Sequence, residues 1–353
     1  MTITARGRAA GFNTPNRFER THLEPLTVDM PTDGDDPRPP VPTTFFIDSS
    51  KSILAKNDSP DLDFTYSINP YRGCEHGCIY CYARPSHEYL GFSAGLDFET
   101  KIMVKMDAPE LLHAALRKRN WAPQMVAFSG NTDCYQPVER RLHLTRKCLE
   151  IFLKYRNPVG LITKNALILR DVDILQEMAS LNLIHVMISI TSLDPELLRY
   201  MEPRTSTPEN RLKAMKDLAR AGIPVGVNAA PIIPGLTDEE IPAILSAAAE
   251  HGASSAGYIL LRLPGPVEPL FLEWLRRTFP ERAGKIINRI QDTRRGQMSD
   301  ARFKSRMRGE GAIARVIDEL FKLNAKKYSL TKRWSGLSTE HFRRQPSAQM
   351  EIF

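Results

Sequence analysis

The chain has 353 residues, 42% apolar and 25% charged, the balance of an ordinary globular protein and not of a disordered or fibrous one. Its five cysteines, three of them clustered, are no disulfide framework, and no apolar run reaches membrane-spanning length. The net charge of +7 is uneven, because from residue 263 onward Lys and Arg outnumber Asp and Glu by 19 to 10.

The N-terminal stretch "MTITARGRAAGFNTPNRF" is basic but has no apolar centre, so it does not read as a secretory signal, and the expected location is the cytoplasm. Residues 1–62, with "MPTDGDDPRPPVPTT" in their middle, are expected to form an irregular Pro-rich arm that buries little. From residue 63 to 262 strand and helix patterns alternate. "FTYSINPY" reads as a strand running into the cysteine loop. "DAPELLHAALRKR" has helical spacing with Pro and acid in its first turn. "QMVAFSG" is a strand, and "VERRLHLTRKCLEIFLKYR" a long amphipathic helix. Then come strand "VGLITKN", helix "DVDILQEMASL", strand "IHVMISIT" and helix "TPENRLKAMKDLARAG". "PVGVNAAPII", "DEEIPAILSAAAEHGA" and "SAGYILLRL" complete the series. Residues 263–353 read as a basic, mainly helical extension and tail. Such a basic third is either a solvated helical face or a surface for an anionic partner, nucleic acid being the commonest.

These six strands are near-continuous apolar runs, as expected where both sheet faces are covered. Right-handed βα crossovers then predict an α/β fold, a partial (β/α)6 barrel, with an open doubly wound sheet as the alternative. In either fold ligands sit at the C-terminal strand ends.

"CEHGCIYC" places Cys74, Cys78 and Cys81 in C-x3-C-x2-C spacing. A zinc site would need a fourth ligand such as His76 or His87. An electron-transfer cluster would need a fourth cysteine, for which Cys134 and Cys148 are distant candidates.

The spacing, with aromatic Tyr80 before the last cysteine, resembles the radical S-adenosylmethionine (SAM) superfamily. "SGNTDCYQPVE", "LITKN", "MEPRTSTPENR" and "NAAPIIPGLTDEE" resemble its branch of spore photoproduct lyase and DNA repair photolyase-like proteins, over residues 63 to 295. The resemblance implies a [4Fe–4S] cluster on the three cysteines, with SAM on the fourth iron. Reductive cleavage of SAM would then give a 5′-deoxyadenosyl radical that abstracts hydrogen from the substrate. It also implies an electron donor such as flavodoxin or ferredoxin. For SAM, it points to Ser129, Asn131 and Thr132 at the amino group and Lys164 at the carboxylate. Ser189 would contact the ribose, and Asn228 with Ala229 the adenine. Cys134, where those lyases usually have proline, is the candidate to return a hydrogen atom to a product radical, whereas Cys148 falls on an apolar helix face. Glu202 and Arg204 are expected to orient SAM or substrate or to pair with each other. His87 and Glu88 are either acid–base groups or helix-start polarity.

Nucleic acid is the first substrate expectation, a peptide or small metabolite the second, and a non-enzymatic Fe–S or zinc protein the alternative of another class. The tail "QMEIF", Gln349 to Phe353, resembles the short peptide by which bacterial DNA enzymes dock on the sliding clamp.

Overall fold

In a computed structural model the described residues are 7–18, 41–332 and 336–344. Among these residues ten strands run in chain order. They are β1 (Thr44–Ile47), β2 (Leu54–Lys56), β3 (Tyr66–Ile68), β4 (Tyr71–Arg72) and β5 (Lys101–Val104), then β6 (Val126–Phe128), β7 (Val159–Thr163), β8 (Ile184–Ser189), β9 (Val225–Ile232) and β10 (Ser255–Leu260).

The main sheet has seven strands in the order β10-β9-β8-β7-β6-β3-β2. Its six parallel members, β3 and β6 to β10, are the six strands expected from the sequence. β2 adds an antiparallel edge beside β3. The two ends of the sheet, β2 and β10, do not pair, so the barrel is partial. A doubly wound sheet would carry helices on both faces. Here Val126, Phe128, Val159, Leu161, Val186, Ile188, Val225 and Val227 point to one face and share one core with Leu112, Phe152, Leu175, Met215 and Leu245 of the helices. Burying each such side chain contributes roughly 1.5–3 kcal/mol, so this single layer dominates the fold.

Strand alternation sends the intervening residues to the opposite face. There Ala127, Gly160, Met187, Ser189, Gly226, Asn228, Ala230 and Gly257 follow one another across β6 to β10. Ile162 and His185 share this face, but most of its side chains are small.

Helix starts carry the signals expected of them. Asp194 accepts from Glu196 N and Leu197 N ahead of helix Pro195–Met201, and Thr207 accepts from Asn210 N ahead of helix Pro208–Arg220. The long helix expected over 138–156 is instead two, Glu139–Leu142 and Leu144–Tyr155. His143 between them has φ 55°, and the Glu139 carboxylate accepts from Leu144 N and Thr145 N, each at 3.1 Å, capping the second helix. Apolar periodicity alone does not reveal a carboxylate that turns back on the next helix.

Residues 41–62, expected to be irregular, contain β1 and β2. β1 pairs in parallel with β5, and β4 pairs antiparallel with it, in a separate three-stranded sheet beside the cysteine loop. Residues 7–18 also bury side chains, with Ala9 at 2% and Ala10 at 0% exposure. In the extension, helix Gly311–Lys327 packs Ala314, Ile317 and Phe321 into the main core, and Ala256 N donates to Leu330 O. Among the described residues no helix is long and apolar enough to cross a membrane.

Candidate functional site

β4 delivers the chain into the cysteine loop. Gly77 takes φ 66°, and a Cβ there would lie 2.7 Å from Glu99 Oε2, so the loop's turn requires glycine for conformation and for space. Cys74 and Cys78 are buried and Cys81 is half-buried.

The loop is anchored from below by Arg84. Its fully buried guanidinium donates to the carbonyls of Gly77, Cys78, Ala94 and Gly95, and pairs with the fully buried Glu99 carboxylate. Glu99 also accepts from Ala9 N at 3.3 Å and Ala10 N at 3.0 Å, and Arg8 donates to Glu99 O at 2.7 Å. The N-terminal segment therefore forms the wall behind the loop. A Cβ at Gly95 would meet Phe12 O at 2.2 Å, which is how closely the two backbones approach.

The loop is tied to each neighbouring βα unit. Glu75 N donates to Gln136 Oε1, and the Glu75 carboxylate accepts from Val138 N and pairs with Arg204. His76 lies 3.4 Å from Asp133 and within 3.1 Å of Asn165 Nδ2. Burial alone would lower His76, but the Asp133 carboxylate and then the Cys74 sulfur more than offset it, and the ring is held up at about 10. Burial would raise Asp133, yet His76 keeps it at about 2. Ile79 N donates to Met201 O.

Tyr80 OH donates to Glu202, which also accepts from Thr191 and pairs with fully buried Arg211. Burial opposes the charge on Glu202, but Arg211 and then Lys164 hold its carboxyl down at about 2. Arg211 and Glu202 thus satisfy each other, and Arg204 pairs with Glu75, so the expected Glu202–Arg204 pair does not form.

Lys164, one residue past β7, points to the small-residue face. Its Nζ lies 5.9 Å from the Tyr80 ring centre and 3.5 Å from Ala230 O. Its charge offsets those of Cys78, Cys81 and Glu202. It is the expected residue whose cation faces the loop most directly.

Other expected residues fall in several environments. Ser129 has φ 77°, and its Oγ accepts from Cys134 N. Asn131 N and Thr132 N both donate to Asn69 Oδ1, while the Thr132 hydroxyl donates to Tyr71 O. Ser189 and Asn228 sit in register on the small-residue face, but the Ala229 side chain belongs to the opposite, helix-covered core. Cys134 is fully buried in that same core, its carbonyl accepting from Thr145, and so is Cys148. The pocket-facing thiol expected at 134 is therefore enclosed by apolar neighbours. His87 is packed between Phe92 and Phe98, and burial lowers it to about 4, while Glu88 pairs with Arg17.

Among the described residues no three His, Cys, Asp or Glu side chains converge to hold a single metal ion. The two imidazoles weighed as a zinc ligand are thus engaged elsewhere, His76 by Asp133 and His87 by aromatic rings. Three thiols on one turn, without a fourth protein donor on that turn, fit a cluster that keeps one iron open. A surface groove lined by Asp194, Leu197, Tyr200 and Phe279 contains none of these residues.

Sequence reading missed Arg84, Glu99, Arg211 and the segment 7–18. Arg84 lies three residues past Cys81 and Arg211 ends a quoted motif, but nothing in their spacing reveals that both are buried, one under the cysteine loop and the other against Glu202.

A family model described as "Radical SAM superfamily" matches residues 68–248. An uncharacterised protein of Mycobacterium tuberculosis strain H37Rv is 35% identical over 269 residues, covering 75% of this chain and 78% of that protein. An uncharacterised protein of Methanocaldococcus jannaschii is 32% identical over 175 residues, 50% of this chain and 63% of that one. Among solved structures, spore photoproduct lyase complexed with dinucleoside spore photoproduct superposes with TM-score 0.54 at 17% identity, covering 80% of this chain and 79% of that one. The likeness in fold extends to a mutant of the same enzyme with bound AdoMet, also at TM-score 0.54. The chain belongs to the radical SAM superfamily, and its cofactors are a [4Fe–4S] cluster and SAM.

Proposed function

We propose that Cys74, Cys78 and Cys81 hold the cluster, that its open iron takes SAM, and that the protein is a cytoplasmic enzyme acting on nucleic acid. The observation that carries this reading is the glycine-turned cysteine loop facing the Lys164 cation across the small-residue face. With both cofactors bound, they supply a reductive cleavage of SAM that ends in hydrogen abstraction from unreactive carbon.

The chain's own residues bind and orient. Arg84 fixes the carbonyls of the loop, so the thiols keep one arrangement. Lys164 offers its ammonium to the SAM carboxylate. Ser189 and Asn228 offer polar groups to the ribose and adenine from β8 and β9. Ser129 and Asn131 frame the turn beside the SAM amino group. Gly257, where a Cβ would meet nothing nearer than Asn228 Oδ1 at 3.6 Å, leaves room for substrate while the barrel wall keeps water out. An external one-electron donor of the flavodoxin or ferredoxin type completes the system.

Nucleic acid is supported by the name of the structural neighbour and by the 19 Lys and Arg against 10 Asp and Glu beyond residue 262. The tail Gln349 to Phe353, outside the described residues, is proposed as a clamp-docking peptide anchored by Met350, Ile352 and Phe353.

The test is anaerobic reconstitution with iron and sulfide, then dithionite and SAM. Formation of 5′-deoxyadenosine and methionine is expected, and a fully loaded protein that leaves SAM intact overturns the reading. Oligonucleotide binding that weakens steeply with salt is expected for the substrate. Salt-independent binding, or none, removes nucleic acid.

A further inference from the structure

The open seam of the barrel, between β10 and the β2 edge, is spanned by one basic segment. Residues 299–309 read "SDARFKSRMRG". On the β10 side, buried Arg294 donates to Leu261 O and Ser305 O, each at 2.7 Å, and Arg308 lies over the Tyr258 ring at 4.0 Å. On the β2 side, Arg306 pairs with Asp61 and donates to Ser59. Lys304 N also donates to Asp61. The segment thus fastens one sheet edge to the other.

Arg262 stands where this strap meets the cysteine loop. It is the second residue after β10 and is half-buried. Its guanidinium lies 5.6 Å from the ring centre of Tyr82, the residue that follows Cys81. Tyr82 OH in turn donates to Gly130 O, at the turn after β6. Tyr82 and Arg262 therefore bridge the mouth from β6 to β10, one residue from the cysteine cluster.

The charge there has no direct ion pair, and Asp61 offsets it only at longer range. The hydrogen bond that Arg262 makes within the described residues goes to the thioether of Met307 at 3.5 Å, a weak acceptor, and no carboxylate among them lies within ion-pair distance. Asp61 is itself paired with Arg306. Burial and then Arg306 lower the pKa of Arg262, and burial lowers that of Arg294 to about 10. A guanidinium with five donors, stacked on an aromatic ring and lacking an anion, matches the fork geometry that binds phosphate.

We propose that Arg262, stacked on Tyr82 and held by the strap 299–309, binds a phosphate group of the substrate at the mouth of the barrel. The site deepens the nucleic-acid reading, since a phosphate beside the target nucleotide would fix the reacting carbon next to the cofactors. A free phosphate monoester offers the same chemistry.

The experiment uses the full chain with its cluster reconstituted. Phenylglyoxal labelling of Arg262 is followed by mass spectrometry with inorganic phosphate, with oligothymidylate, with SAM alone, and with chloride at matched ionic strength. Protection by phosphate and oligothymidylate, but not by chloride or SAM, is expected. Arg262→Ala should weaken oligothymidylate binding about tenfold or more, as for loss of a charge-assisted contact, and abolish competition by phosphate. Arg262→Lys should restore part of the affinity, which separates lost charge from misfolding. Protection by phosphate without any oligothymidylate binding supports the anion site and sinks the nucleic-acid reading. Protection by SAM, absence of protection by phosphate, or Arg262→Ala binding like the parent overturns the inference. The labelling arm needs no variant, so a poorly folding Arg262→Ala leaves it decisive.

Discussion

At the scale of single residues, the three loop cysteines differ from the other two by environment. Cys74→Ala, Cys78→Ala or Cys81→Ala should each lose the cluster, measured as iron and sulfide per chain. Cys134→Ala and Cys148→Ala, both at 0% exposure in the helix-side core, should keep it and lose only stability, by roughly 1–3 kcal/mol. Loss of iron in either core variant would show a four-cysteine site. Lys164→Ala should weaken SAM binding about tenfold with iron content unchanged, because a charge-assisted bond is worth roughly 1.5–3 kcal/mol. An unchanged SAM dissociation constant removes Lys164 from the site. His87 gives a pH signature. Burial lowers its folded pKa to about 4 from 6.5, so below 6.5 the unfolded chain takes up a proton that the folded ring resists. Stability should therefore fall between pH 6.5 and about 4, by roughly 3 kcal/mol in total. Urea unfolding of the parent and His87→Phe across that range checks it, and equal slopes would refute it. The C-x3-C-x2-C spacing and Lys164 at a strand end were legible because local sequence carries them. Ala229 and Cys134 were not, because facing depends on which side of its strand or turn a residue falls.

At the scale of elements, six strands and the helices between them could be read from apolar periodicity. β1, β2, β4 and β5 could not; β1 and β2 are mostly exposed and so lack the apolar run that marks a strand as short as β6. The break at His143 was hidden for another reason: it depends on the Glu139 carboxylate bonding to Leu144 N and Thr145 N. The N-terminal segment was misjudged because its composition is that of an arm, whereas its backbone amides complete a buried carboxylate. This gives an element-scale prediction. Removing residues 1–18 strips Ala9 N and Ala10 N from Glu99, and Arg8 from Glu99 O. The truncated protein should bind iron more weakly and lose it faster in air. Glu99→Gln should go further, destabilising the fold by about 3–5 kcal/mol, because Arg84 is left charged and unpaired inside the protein. Iron retention equal to the parent in the truncated form would reduce the segment to decoration.

At the scale of the whole molecule, the partial barrel was legible as a count of units, but its closure was not. The strap that joins β10 to the β2 side is made of polar contacts between residues about 245 positions apart, Arg306 with Asp61. No short-range pattern encodes such a pair. A peptide of residues 343–353 should bind purified clamp in the micromolar range, about 7–8 kcal/mol, and Ile352→Ala with Phe353→Ala should abolish it. The loop's anchors have a further consequence. Gln136 holds it from the second unit, Asp133 joins it to Lys164 N of the third, and Met201 O with Glu202 hold it from the fourth, while Ala9 and Ala10 close it from the start of the chain. Iron at this loop therefore senses the integrity of most of the barrel circumference. Visible absorbance of the loaded protein should serve as a built-in gauge of global unfolding. In a denaturant titration under anaerobic conditions it should fade together with far-ultraviolet circular dichroism, and colour lost well before the helices melt would mean that the loop opens as a separate unit.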